Sequence, residues 1–147
     1  MRILISACLL GLRCRYDGKT KFYPQVDALA ERHQLIPVCP EQLGGLPTPR
    51  VPAERKGAHV ATKDGIDVTE QYRRGAEETL ALCKLFDCEA AVLKERSPSC
   101  GYGAVYDGSF SGTLINGDGV TAELLVAHGI RVYGESQIEE LLNIVKQ

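Results

Sequence analysis

Four short apolar runs punctuate the chain: Ile3-Leu4-Ile5-Ser6-Ala7, Leu35-Ile36-Pro37-Val38, Ala90-Ala91-Val92-Leu93 and Ile130-Arg131-Val132-Tyr133. The first and third show no apolar/polar alternation, the mark of strands buried on both faces of a parallel sheet. Strands are expected at 2–7, 34–38, 89–94 and 130–133. Between these runs, apolar residues return at helical spacing. Val26, Leu29, Ala30 and His33 follow the i, i+3, i+4, i+7 pattern behind Pro24, a residue suited to a first helical position. Tyr72, Ala76, Leu80 and Cys83 form a second stripe on a helix over 69–86, with Thr69 as its cap. Asp118 is placed to cap a third helix carrying Ala122, Leu125 and Val126, and Gly129 stops it. Ser136-x-x-Glu139 reads as a capping box ahead of Ile138, Leu141, Leu142 and Val145.

Strand and helix alternate, which predicts an α/β fold: Rossmann-like and doubly wound, with a mostly parallel sheet, in a single domain over 1–147. Residues 42–58 contain Gly44-Gly45, Pro47, Pro49 and Pro52 and are expected to be irregular. A long loop directly after a strand end is a common lining of a binding site. His59-Val60-Ala61-Thr62 and Ile66-Asp67-Val68 flank Lys63-Asp64-Gly65 and predict a small β-hairpin insertion. The Gly-rich stretch from Val105 to Gly119 leaves room for a second, looser one.

Charge narrows the partners. Seventeen basic against nineteen acidic residues give a formal charge of −2, no footprint for nucleic acid or an anionic membrane. The apolar start is broken by Gly11, Arg13 and Arg15 before a secretory h-region can form, and no run approaches the ~20 apolar residues of a membrane span. A cytoplasmic protein without membrane or nucleic-acid partners is expected. In that compartment six cysteines point to metal, cluster or thiol chemistry rather than a disulfide framework.

Three of the cysteines share a position. The first apolar run leads into Cys8, the second into Cys39-Pro40-Glu41, and the third into Glu95-Arg96-Ser97-Pro98-Ser99-Cys100-Gly101. Residues just past the carboxyl ends of parallel strands converge on one crevice, where such folds bind ligands. Three thiolates meeting there suit either zinc short of a fourth ligand or a 4Fe–4S cluster with one iron free of protein. Cys83, on a helical stripe, and Cys88, at the amino end of the third strand, read as core thiols. Cys14 lies in an Arg-flanked loop and reads as an accessory thiol, six residues beyond Cys8. His33 reads as a helix-end or core-edge histidine.

Ser6-Ala7-Cys8-Leu9-Leu10-Gly11, the stretch from Pro37-Val38-Cys39-Pro40-Glu41 to Pro47-Thr48-Pro49-Arg50, Lys94-Glu95-Arg96-Ser97-Pro98-Ser99-Cys100-Gly101 and Asp118-Gly119-Val120-Thr121-Ala122 together resemble the short, stand-alone members of the thiouracil desulfidase family, DUF523. The resemblance spans essentially the whole chain. It implies a 4Fe–4S cluster on Cys8, Cys39 and Cys100, with Glu41 and Ser97 catalytic. It further implies a small thiopyrimidine substrate: 2- or 4-thiouracil or its nucleotide, converted to uracil and hydrogen sulfide. Ser99 and Arg50 are candidate substrate contacts, Arg50 toward a ribose phosphate. The competing expectation is a non-catalytic module that binds or senses a metal, cluster or nucleotide.

Overall fold

The structure, a computed structural model, describes residues 1–145. Its frame is a four-stranded parallel sheet in the order β2-β1-β5-β8, formed by β1 (Arg2–Ser6), β2 (Gln34–Val38), β5 (Ala90–Leu93) and β8 (Arg131–Gly134). Ile3, Leu4 and Ile5 of β1 and all four residues of β5 are completely buried, so the two unalternating runs supply the two central strands. One face packs on α1 (Val26–Ala30) and α5 (Ile138–Val145), through Ile3, Ile5 and Val92 against Val26, Leu29, Ile138 and Leu141. The other packs on α3 (Thr69–Leu85) and α4 (Val120–Ala127), through Leu4, Ala91 and Leu93 against Leu80, Cys83, Ala122 and Leu125. Helices on both faces of a parallel sheet make the fold doubly wound, as expected. Its strand order reverses between β1 and β5, so a crevice opens beyond their carboxyl ends.

Two antiparallel ribbons sit outside this frame, and the first corrects the sequence reading in part. The first pairs β3 (Ala53–Lys56) with β4 (His59–Thr62) across a tight turn at Gly57. A strand therefore stands inside the stretch expected to be irregular, and the short α2 (Pro40–Leu43) runs into its start. The expected turn at Asp64-Gly65 is present, with Gly65 N–H donating to Thr62 O, but a single Ala61–Asp67 bridge follows it. The second ribbon, β6 (Ala104–Tyr106) with β7 (Leu114–Asn116), is the looser hairpin expected there.

Capping also differs from expectation, because the oxygens concerned serve tertiary contacts instead. Thr69 Oγ1 accepts from Val60 N–H at 2.9 Å, tying α3 to β4, while Asp67 accepts from Thr69 N–H at 2.8 Å. Asp118 accepts from Gly103 N–H at 2.8 Å. Ser136 donates its hydroxyl to Glu95 at 2.7 Å, and Gln137 closes the turn onto Gly134 N–H at 2.9 Å. Val126 faces solvent rather than the core, and Ala30 is exposed. His33 lies past the end of α1, its Nδ1 2.9 Å from the N-terminal amine. The side chain of Val145 lies outside the described residues.

Candidate active site

The crevice at the carboxyl ends of β1, β2 and β5 is a cavity of about 590 Å³, of the size that holds a small molecule. Cys8, Cys14, Cys39 and Cys100 all line it, together with Glu41, Arg50, Tyr72, Lys94 and Ser97. Cys83 and Cys88 do not.

Each thiol is delivered by a short turn at a strand end. Cys8 lies in a 3₁₀ turn, Ala7–Leu10, whose backbone is gripped from the following loop: Thr20 hydroxyl and Lys21 N–H both donate to Cys8 O, at 3.0 and 3.1 Å. Cys39 is the extended residue before α2, with Pro40 at the first helical position. The Cys-Pro-Glu turn is held by close backbone contact. A Cβ on Gly44 would lie 1.9 Å from Gln71 O, and one on Gly75 2.0 Å from Pro40 O. Only glycine lets α2 press so closely on α3. Cys100 ends a tight turn in which Ser97 hydroxyl oxygen accepts from Ser99 and Cys100 N–H, at 3.1 and 3.0 Å. Lys94, paired with the buried Glu135 at 3.0 Å, and Glu135 accepting from Glu95 N–H at 2.6 Å anchor the start of that turn to β8.

Glu41 is held from two sides at one oxygen. Arg50 Nε donates to its Oε2 at 3.0 Å and Tyr72 hydroxyl donates to the same atom at 2.8 Å. Oε1 has no hydrogen-bond partner among the described residues. Arg50 is itself almost entirely buried, its side chain 6% exposed. It donates further to Pro47 O, Thr48 Oγ1 and Cys14 O at 3.0 to 3.2 Å. Four of its five N–H donors are engaged within the protein. Arg50 therefore serves as the clamp of Glu41 and of the loop rather than as a free phosphate grip.

Burial pushes the Cys100 thiol up to about 12. Cys39 is raised further, first by its contact with Cys14 and then by burial. Cys14 rises to about 11: hydrogen bonding to Cys39 favours its thiolate, but contact with Cys8 and burial outweigh that. Cys14, expected to be accessory, is thus drawn into the thiol group. Its carbonyl accepts from Cys39 Sγ at 3.7 Å and from Arg50. Burial, followed by the charge of Glu41, raises the Tyr72 hydroxyl well above the ordinary tyrosine range, so it stays a donor.

Ser97 stands on the cavity with both hydroxyl lone pairs taken by amides, which leaves it only its O–H hydrogen to offer a ligand. Ser99 is turned away from the cavity. It is buried against Thr121, with 2.8 Å between the hydroxyls, and its place is in the support of Cys100 rather than against a ligand. Sequence reasoning missed Tyr72 as a site residue, seeing only its place on a buried stripe. The available signal was that a buried tyrosine hydroxyl requires a partner.

Comparison with known proteins agrees with this geometry. The sequence profile of the 2-thiouracil desulfurase family matches residues 3–137. The uncharacterized protein YbbK of Bacillus subtilis (strain 168) is 44% identical over 150 residues, 95% of this chain and 99% of that protein. A solved structure described as a [4Fe-4S]-dependent thiouracil desulfidase, TudS (DUF523Vcz), superposes with a TM-score of 0.93 at 48% identity. The match covers 99% of this chain and 97% of that one. With a match of that extent running through all three cysteine-bearing strand ends, this chain belongs to the 2-thiouracil desulfurase family.

Proposed function

We propose that the protein removes sulfur from a thiolated uracil, 2- or 4-thiouracil or its nucleotide, by hydrolysis to uracil and hydrogen sulfide. One observation carries the reading: thiols from three separate strand ends share a cavity with a carboxylate fixed by two donors.

The donor set fits a 4Fe–4S cluster better than a single ion. Among the described residues, no three His, Cys, Asp or Glu side chains come close enough to hold one metal ion. A cubane takes one thiolate at each of several irons, so it needs thiols spread around a cavity, and soft sulfur donors suit iron–sulfur chemistry. Cys8, Cys39 and Cys100 would hold it. When bound, such a cluster supplies a Lewis-acidic iron without a protein ligand, to which a soft thiocarbonyl sulfur can bind.

The protein's own groups then have distinct tasks. Glu41, its Oε2 occupied by Tyr72 and Arg50, presents Oε1 to a water beside the thiocarbonyl carbon. As the water oxygen bonds to that carbon, Glu41 takes its proton. Glu41 hands that proton to the sulfur as the carbon–sulfur bond breaks, and the new hydroxyl gives up water's second proton to become the carbonyl, so that both protons leave with the sulfur as hydrogen sulfide. Ser97 O–H donates to the attacking water or to the pyrimidine edge. Arg50 and Tyr72 are positioning residues. No helix among the described residues is long and apolar enough to cross a membrane, which suits a small dissolved substrate.

The test is anaerobic reconstitution with iron and sulfide, followed by the thiocarbonyl absorbance of 4-thiouracil. Cluster-dependent loss of that band, with Glu41→Gln retaining the cluster spectrum but not the turnover, is the expected result. A loaded protein that leaves every thiopyrimidine intact would point instead to a binding or sensing module.

A further inference from the structure

The reaction steps above use nothing from the β6–β7 hairpin, yet its tip lines the same cavity through Tyr106, Phe110 and Gly112. That tip is built to hold one conformation. Glu54 on β3 accepts from both Gly108 N–H and Phe110 N–H at 3.0 Å, on a single oxygen. Asp107 accepts from Ser109 N–H at 2.8 Å, and the hydroxyls of Ser109, Ser111 and Thr113 form a chain at 2.6 and 2.8 Å. Gly108 approaches β3 so closely that a Cβ there would lie 2.8 Å from Lys56 Cβ. Arg55, next to Glu54, binds Asp118 O and Glu123 at 2.7 Å each, so β3 is fixed in turn.

The residue so restrained is Phe110, at φ +58. A bulky aromatic avoids that left-handed region, and residues kept there by their surroundings concentrate at ligand clamps. The other groups assigned to the substrate, the thiols, Glu41 and Ser97, are suited to its sulfur and its edges. None offers a surface for the flat face of the ring.

We propose that Phe110 is the stacking platform for the pyrimidine ring of the substrate and that Glu54 is the positioning residue that holds it there. The identity of the ring rests on the desulfidase reading. Stacking does not distinguish sulfur from oxygen on the ring, so the contact stabilises substrate, transition state and uracil product alike. Such uniform binding appears in KM and in product affinity, not in kcat.

The experiment measures the Kd of uracil for the anaerobically reconstituted protein by calorimetry, together with KM and kcat for 4-thiouracil. Phe110→Leu, apolar and of similar bulk, is expected to raise the uracil Kd and the thiouracil KM about tenfold, with kcat within about twofold. Phe110→Tyr keeps the platform and is expected to bind as the wild type does. Phe110→Gly, which adopts φ +58 without strain, guards against misfolding and is expected to lose affinity at least as far as Phe110→Leu. Glu54→Ala is expected to weaken uracil binding severalfold with the same unchanged kcat. Wild-type uracil affinity in Phe110→Leu and Phe110→Gly would overturn the platform while leaving the desulfidase reading intact. A fall in kcat at constant KM would also overturn it. Wild-type protein that neither binds uracil nor consumes thiouracil would overturn the underlying reading and the platform with it.

Discussion

The protein has two groups of buried thiols at opposite ends of its sheet, and their difference is instructive. At the amino end, Cys83 and Cys88 pack among apolar side chains, with Cys83 Sγ donating to Cys88 O at 3.6 Å. At the carboxyl end, Cys8, Cys14 and Cys100 are similarly withdrawn from water and Cys39 partly so, but all four border a cavity shared with Glu41, Arg50, Tyr72 and Lys94. Burial raises the thiol pKa at both ends, Cys83 to about 11 and Cys100 to about 12. Burial and proton affinity therefore do not separate a structural cysteine from a ligand. What separates them is the neighbourhood: open volume, a fixed carboxylate, and delivery from several strand ends at once.

The comparison is broken most severely by exchanging one thiol in each group. Cys39→Ala is expected to lower thiouracil turnover more than about a thousandfold and to leave the protein short of iron, since one of the three proposed cluster ligands is gone. Cys83→Ala is expected to keep both iron content and turnover. Iron and sulfide assays beside the kinetic assay check the pair. Glu41→Gln is expected to retain iron and lose about 10²–10⁴-fold in kcat, the usual share of a general base.

Proton balance sharpens the contrast further. A metal group that takes the thiolates of Cys39 and Cys100 must displace their protons, because both thiols are raised well above neutrality. The two protons released from these thiols alone make apparent iron affinity rise with pH by at least about a hundredfold per unit, and fall by as much as pH drops. Chelator competition across pH measures the slope, and Cys83 and Cys88 contribute nothing to it. The smallest effect is expected from Tyr72→Phe. It removes one of two donors to Glu41 Oε2 and should lower kcat about tenfold, with iron content and KM unchanged.

The frame was legible because its strands are short unbroken apolar runs and its main helices carry regular stripes. Tyr72, Ala76, Leu80 and Cys83 are buried as their spacing demands. What escaped the sequence lies outside that code. Strand β3, Ala53-Glu54-Arg55-Lys56, has no apolar pattern, because its side chains are used to hold Gly108, Phe110, Asp118 and Glu123. Thr69, Asp118 and Ser136 have the chemistry of caps, but pairing across the chain decided their use. At Arg50 and Ser99 the sequence suggests ligand contacts, because a cation and a hydroxyl near a motif point to recognition. Whether such a group faces the cavity or braces the residue beside it depends on partners tens of positions away, such as Thr121 for Ser99.

The central claim, hydrolytic desulfidation in the crevice at the carboxyl ends of the strands, is tested most directly by isotope. Anaerobically reconstituted protein is given 4-thiouracil in ¹⁸O-enriched water, and the pyrimidine product and sulfide are measured together. Hydrolysis yields uracil carrying one heavy oxygen at the former thiocarbonyl carbon, with one hydrogen sulfide released for each. Uracil without the label, or a loaded protein that returns thiouracil unchanged, would contradict it.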